Sequence, residues 1–144
     1  MNIVLKKEAN DNFREWIILE WKHHNTVDPI YKLKIIDPKN IKFEHNEEYY
    51  KIIVDDVEVG FVGIKIYDFS IYLYRFYIDS NYRNKGIGTF VLTKIIELAK
   101  QENKDLSLDV FGTNDAKKLY EKLGFKDRYT NMVLKITDDN EYHN

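Results

Sequence analysis

Apolar residues recur at helical spacing in four stretches of the chain. In the first, Phe13 and Ile17 share one side of a helix that Asn10 or Asp11 can cap. In the clearest, over residues 87–102, one side is apolar and the other carries charged side chains. The pattern predicts a helix over residues 10–24 and a short second helix that ends at residue 36. It predicts two further helices over 87–102 and 116–123, the last with Gly124 as the C-terminal cap.

Elsewhere the period of the pattern is two, which is typical of strands. The predicted strands are residues 3–7, 49–54, 58–67, 71–78, 106–111 and 132–136, with a hairpin turn at 55–57. The order β-α-α-β-β-β-α-β-α-β predicts one α/β domain over residues 1–144, with a mixed central sheet and helices on both faces. The hairpin predicts antiparallel pairing in the first half of the sheet. The strand–helix–strand unit over 71–111 predicts parallel pairing in the second half.

The composition narrows the range of functions. The chain has 144 residues, a formal net charge of −2 and no cysteine. This charge balance argues against nucleic-acid binding by bulk positive charge. The missing thiol excludes disulfides, thiolate metal sites and a cysteine nucleophile. No apolar run approaches the roughly 18 residues of a membrane span, and no secretory signal is visible. We therefore expect a cytoplasmic protein, monomeric or homodimeric, that binds neither nucleic acid nor membrane.

The sequence YRNKGIGT at residues 82–89, here called the glycine loop, lies between a predicted strand and the clearest helix. Gly86 and Gly88 allow a close backbone approach to a ligand. The unpaired N–H groups of the helix start favour an anion, and Arg83 and Lys85 add positive charge. No Gly-Lys-Ser/Thr and no third glycine follow, which argues against a nucleotide P-loop and a dinucleotide site. The pattern predicts a diphosphate site for a group-carrying cofactor; a tight turn with solvated basic residues is the alternative.

Two further stretches extend this motif to FYIDSNYRNKGIG at residues 76–88 and add AKKLYEKLGF at residues 116–125. Together with the helix between them, they resemble the GNAT superfamily of acyl-CoA-dependent N-acetyltransferases. The resemblance implies the GNAT fold over most of the chain and acetyl-CoA as cosubstrate, with no metal. Ser80 stands where the family often has proline, and Asn84 where it often has glycine. A loop start and a backbone amide survive both changes.

The resemblance also implies how the cofactor binds. A bulge separates the strand over 71–78 from its neighbour, and the pantetheine arm pairs with backbone groups of residues 76–78. Backbone N–H groups of the glycine loop hold the pyrophosphate, and the N–H of Ile78 polarises the thioester carbonyl. The pantetheine contact that the family makes through asparagine falls to Thr113 or Asn114. The implied cofactor-binding residues are Phe76, Tyr77, Ile78, Arg83, Asn84, Lys85, Gly86, Ile87, Gly88, Thr89, Asn114 and Tyr120.

The resemblance implies that Tyr120 protonates the leaving thiolate; a core aromatic is the alternative. No general base is apparent, because Tyr72 stands where some relatives have glutamate. Tyr72 and Tyr74 can order a water or bind substrate, or simply pack. Glu20 is another candidate base, and its spacing to two following histidines would suit a metal, although a solvated helix face is the expected environment. With no cysteine, direct transfer in a ternary complex is the simplest mechanism.

The expected acceptor is a primary amine. The stretch LYRFYIDSNYRNKGIG at residues 73–88 is similar to a pattern of bacterial diamine and polyamine acetyltransferases, although such relatives tend to have an acidic residue where Tyr74 stands. The rings of Trp21, Tyr72 and Tyr74 are predicted to bind a cationic substrate instead. Peptide N-termini, aminoglycosides and other small amines stay open as acceptors. A non-catalytic acyl-CoA-binding module is the alternative from another functional class.

Overall fold

The computed structural model describes residues 1–111, 114–138 and 141–142, the last two by their backbone only. The strands are β1 (Ile3–Glu8), β2 (Lys32–Leu33), β3 (Glu47–Val54), β4 (Val57–Ile66), β5 (Ser70–Ile78), β6 (Asp105–Leu108) and β7 (Glu141–Tyr142). The α-helices are α1 (Arg14–Val27), α2 (Ile87–Gln101) and α3 (Ala116–Lys122), with 3-10 turns at Asn10–Phe13, Pro38–Asn40 and Ser80–Tyr82. Along the described part of the chain, no helix has the length and apolar character that crossing a membrane requires.

The chain divides into two compact units. The first comprises Met1–Glu20 and Ile36–Asp109, and the second comprises Trp21–Ile35 and Val110–Asn144. In the first unit a five-stranded sheet has the order β1-β3-β4-β5-β6. Its first four strands pair antiparallel, while β5 and β6 pair parallel. This arrangement confirms the predicted mixed sheet.

The core of the first unit lies on both faces of this sheet. Residues 59–64 of β4 are buried without interruption, and since neighbouring strand residues point to opposite faces, both faces are covered. On one face the ring of Phe13 lies 5.3 Å from that of Tyr49 and 6.2 Å from that of Phe61. The helix α2 lies against β1, β5 and β6 and buries Val91 and Leu92 completely. The sheet is therefore a rigid support for the groups at its strand ends.

The short helix predicted before residue 36 is wrong. The carboxylate of Asp28 accepts the backbone N–H groups of Ile30 at 2.8 Å and Tyr31 at 3.0 Å, which turns the chain where a helix would continue. The side chain of Asn25 then bonds both backbone groups of Leu33, at 3.0 Å and 2.6 Å. These bonds hold Lys32–Leu33 extended as β2, which pairs parallel with β7.

The strand predicted over residues 132–136 is also wrong, because this described stretch forms no strand. Met132, Leu134 and Ile136 are 88%, 84% and 85% exposed. An alternating pattern forms a strand only where a partner strand and a core accept it. The last strand is instead β7, and β6 ends at Leu108 rather than at residue 111.

Candidate active site

The strand β5 is bulged and half open. Its register with β4 shifts from Gly63↔Arg75 to Ile64↔Leu73, so that Tyr74 has no partner on β4. On its other side, pairing with β6 ends at Leu73↔Leu108. Residues 74–78 therefore present backbone groups on the side where β6 has ended. The bulge that the family resemblance implied is confirmed.

The backbone groups at this open edge alternate along β5. The N–H of Phe76 donates to the Oε2 atom of Glu20 at 2.9 Å and thus points away from β4. In an antiparallel pair every second residue has the same orientation, so the N–H and C=O of Ile78 point the same way. The C=O of Ile78 accepts the Nε–H of Arg83 at 2.8 Å. Two predicted cofactor-binding residues, Phe76 and Ile78, therefore share the open edge, whereas the backbone of Tyr77 faces β4.

The glycine loop ends at the start of α2. Asn84 and Gly86 have φ values of 60° and 83°, and a Cβ added at Gly86 would meet no atom within 4 Å. The first intrahelical bond runs from the N–H of Phe90 to the C=O of Gly86 at 3.1 Å. The N–H groups of Ile87, Gly88 and Thr89 therefore have no helical partner, and the first turn contains no acidic residue. Such a helix start favours an anion.

The basic residues of the glycine loop lie against tyrosine rings. Arg83 lies 5.2 Å from the ring centre of Tyr77, and Lys85 lies 5.6 Å from that of Tyr82. Arg83 also bonds the open edge of β5, as described above. The arginine therefore links the strand to the loop.

Glu20 of α1 reaches the open edge and is held there by two groups. Its Oε1 atom lies 3.3 Å from Nη1 of Arg75, and its Oε2 atom accepts the N–H of Phe76. The side chains of Glu20 and Arg75 are only 19% and 7% exposed. Burial raises the pKa of Glu20 to about 7, although Arg75 and the N–H bond both act to lower it. The solvated helix face expected for Glu20 is therefore wrong.

The guanidinium of Arg75 is held in place by two phenols. Its Nε–H donates to the hydroxyl of Tyr49 and its Nη2–H to the hydroxyl of Tyr74, both at 3.1 Å. Tyr49 in turn donates to the carboxylate of Glu47. We call these five residues the Glu20–Arg75 cluster. Its members come from α1, β3 and β5, and burial raises the pKa of Tyr49, which keeps this phenol neutral.

The aromatic residues predicted to bind a cationic substrate have other contacts. The hydroxyl of Tyr72 donates to Asp109 at 2.9 Å, and its ring lies 6.1 Å from that of Tyr74. The ring of Tyr74 already contacts two cations, Lys65 at 4.0 Å and Arg75 at 4.2 Å. Trp21 is only 5% exposed. The structure therefore brings Tyr72 and Tyr74 together but does not place Trp21 on a surface.

In the second unit, Tyr120 lies on α3 with its ring 5.8 Å from that of Phe125. The Oδ1 atom of Asn114 accepts the N–H of Ala116, the first residue of α3, at 2.9 Å. Thr113, the other candidate for the pantetheine contact, lies outside the described residues. Within the described ranges, no group of three His, Asp or Glu side chains is arranged to hold a metal ion.

Comparison with known proteins identifies the family to which this chain belongs. The profile of the acetyltransferase (GNAT) family matches residues 10–125. The chain belongs to this family and is an acetyl-CoA-dependent N-acetyltransferase. The five-stranded mixed sheet and its helices agree with the GNAT fold that the sequence predicted.

Solved structures share this fold at low identity. The YycN protein of Bacillus subtilis superposes with a TM-score of 0.71 at 21% identity, covering 95% of this chain and 100% of its own. A ribosomal-protein-alanine N-acetyltransferase of Brucella melitensis gives 0.69 at 14%, covering 94% and 100%. An aminoglycoside acetyltransferase from an uncultured soil metagenomic sample, solved with sisomicin, gives 0.65 at 12%, covering 94% and 97%.

Proposed function

We propose that this protein transfers the acetyl group of acetyl-CoA directly to a primary amine within a ternary complex. The supporting observation is the continuous segment 74–89, which joins the open edge of β5 to the start of α2. Coenzyme A has a matching order of groups, because its pantetheine arm carries amides and its other part carries a pyrophosphate. An open strand edge pairs with amides, and a helix start binds phosphate.

The residues at each end of this segment then have separate roles. Phe76 and Ile78 offer the edge N–H and C=O groups to the pantetheine arm and the thioester. The N–H groups of residues 84–89 hold the pyrophosphate, with Arg83 and Lys85 supplying positive charge. Asn114 and Tyr120 complete the proposed set by their match to the family motif. Positioning of the thioester in this way can lower the barrier by roughly 7–11 kcal/mol.

The chemistry requires the amine to lose protons and the leaving thiolate to gain one. A lysine-like amine with a pKa of about 10.4 is neutral in only about one molecule in 2,500 at pH 7, which costs about 4.6 kcal/mol. A base must therefore take a proton from the amine. The leaving thiolate then takes a proton, and we assign its donor to Tyr120 on the strength of the motif at residues 116–125.

The acceptor proposed is a small primary amine, with diamines included. Lys65 and Arg75 already lie on the ring of Tyr74, which weakens the case for a polyamine bound by that ring. Two carboxylates lie beside the same pair of tyrosines. Glu20 bonds Arg75, which lies on the ring of Tyr74, and Asp109 accepts the hydroxyl of Tyr72. Peptide and aminoglycoside amines belong in the same test, because acetyltransferases for both share this fold.

The test is the release of free CoA thiol from acetyl-CoA in the presence of a diamine, an alanyl dipeptide or an aminoglycoside. We expect release to depend on the amine and to be saturable in both substrates, with a mass increase of one acetyl group on the amine. Saturable binding of CoA without turnover on any of these amines would instead support a non-catalytic acyl-CoA-binding module.

A further inference from the structure

We propose that Glu20 is the base that accepts a proton from the acceptor amine, and that acetyl-CoA prepares it by taking over the backbone N–H of Phe76. The inference rests on the proposed acetyl transfer and adds a catalytic residue to it. At the open edge of β5, two groups compete for one backbone donor. The same N–H that the thioester can use is already occupied by the carboxylate of Glu20, at 2.9 Å.

The geometry lets the carboxylate change partners without leaving the site. Its Oε1 atom is bonded to Arg75, whose guanidinium is fixed by Tyr49 and Tyr74. When the thioester carbonyl accepts the N–H of Phe76, the Oε2 atom of Glu20 loses that bond while the Oε1 atom keeps its contact with Arg75. This assigns the thioester carbonyl to Phe76 rather than to Ile78, whose N–H then serves the pantetheine arm.

The surroundings of Glu20 suit a proton acceptor near neutral pH. Arg75 contacts the carboxylate itself. Tyr74 of β5 and Tyr49 of β3 contact Arg75. Beyond them, Glu47 of β3 accepts from Tyr49, and Lys65 of β4 lies on the ring of Tyr74. Burial holds the pKa of Glu20 at about 7, close to the value that a general base needs. Loss of the Phe76 bond raises the pKa further, because that bond stabilises the charged form.

The steps balance in atoms and charge. Glu20 takes one proton from the ammonium group and leaves a neutral amine. The nitrogen lone pair attacks the thioester carbon, and the N–H of Phe76 stabilises the oxyanion. The carbon–sulfur bond then breaks, and the thiolate takes the proton of its assigned donor, Tyr120, to become CoA thiol. The second proton of the nitrogen restores that donor through solvent. Glu20 finally releases its proton to water.

The first test is the pH profile of kcat/KM for Glu20→Gln, with Glu15→Gln as the matched control. Glu15 lies on the same helix but is exposed. With acetyl-CoA saturating, wild type and control should lose rate as pH falls below the pKa of Glu20 in the acetyl-CoA complex, which lies above the value of about 7 in the free protein. Glu20→Gln should be roughly 10²- to 10⁴-fold slower at neutral pH and should gain rate tenfold per pH unit, following the free amine. A wild-type rate and profile in Glu20→Gln would overturn the role of Glu20.

The second test uses the wild-type protein and therefore does not depend on the folding of a variant. Calorimetric titration in buffers of different ionisation enthalpy measures protons taken up on binding. Near pH 7 we expect more uptake with acetyl-CoA than with CoA, which lacks the carbonyl. Equal uptake with both would overturn the exchange at Phe76. Failure of the proposed function is distinct, because wild type would then acetylate no amine at all.

Discussion

Two polar regions of the first unit differ in how the chain builds them. The glycine loop consists of eight consecutive residues that can be read directly as YRNKGIGT. The Glu20–Arg75 cluster joins residues that are 55 positions apart. The loop is proposed to bind through backbone N–H groups, whose direction follows from local conformation. The cluster is proposed to act through a carboxylate whose basicity depends on burial. The first role can be predicted from consecutive residues, whereas the second depends on tertiary packing.

The largest expected effect on acetyl-CoA binding tests the glycine loop. Gly86→Glu puts a carboxylate at the unpaired N–H groups of α2, and we expect acetyl-CoA affinity to fall more than 100-fold, about 3 kcal/mol. Gly86→Ala is the matched control: it adds the same strain at φ 83° without charge. It should cost about 1 kcal/mol of stability and change binding only a few-fold. Isothermal titration checks both, and normal binding by Gly86→Glu would remove the loop from the site.

The largest expected effect on stability tests the Glu20–Arg75 cluster. Arg75→Met leaves Glu20 buried without its partner, which should lower the free energy of unfolding by roughly 3–5 kcal/mol. Lys94→Met breaks the exposed pair with Glu97, whose side chains are 48% and 53% exposed, and should change stability by less than about 0.5 kcal/mol. Urea unfolding measures both. Adding Glu20→Met to Arg75→Met should restore part of the loss; no recovery would contradict a coupled pair.

A third prediction uses pH. The pKa of Glu20 rises from 4.5 to about 7 on folding, so between these values the native state holds a proton that the unfolded state lacks. The contribution of Glu20 is thus fully favourable below about pH 4.5 and is lost as pH rises through 7, on the order of 3 kcal/mol in all. Glu20→Gln should remove this slope. Urea unfolding at pH 5 and pH 8 measures it, with Glu15→Gln expected to keep it.

The smallest effect separates two glycines. A Cβ at Gly63 would lie 2.5 Å from the buried ring of Tyr49, the residue that holds Arg75. Gly63→Ala should therefore lower stability by about 1–3 kcal/mol and leave acetyl-CoA affinity of the folded protein close to wild type. Gly86→Glu should instead lose more acetyl-CoA affinity than stability. Thermal unfolding and titration distinguish the two, and a stable Gly63→Ala variant would contradict the close packing around Tyr49.

Much of the fold and one end of the site followed from local patterns. The strands over residues 49–78, the helix from Ile87 and the bulge implied by the family motif all have counterparts in the structure. The pattern predicted a helix wrongly where the side chains of Asp28 and Asn25 form hydrogen bonds with backbone groups. Periodicity describes which residues share a side, but it does not include such bonds.

Glu20 shows the other limit. It follows the apolar spacing of Phe13 and Ile17, so the signal that it faces the core was present in the sequence. Its chemistry was not, because the pKa of a carboxyl depends on the solvent that surrounding atoms exclude and on partners distant in the chain. The sequence by itself determined the class of protein and predicted the glycine loop as its cofactor site. Only the tertiary structure decided that the buried carboxylate of Glu20 meets Arg75 and the N–H of Phe76.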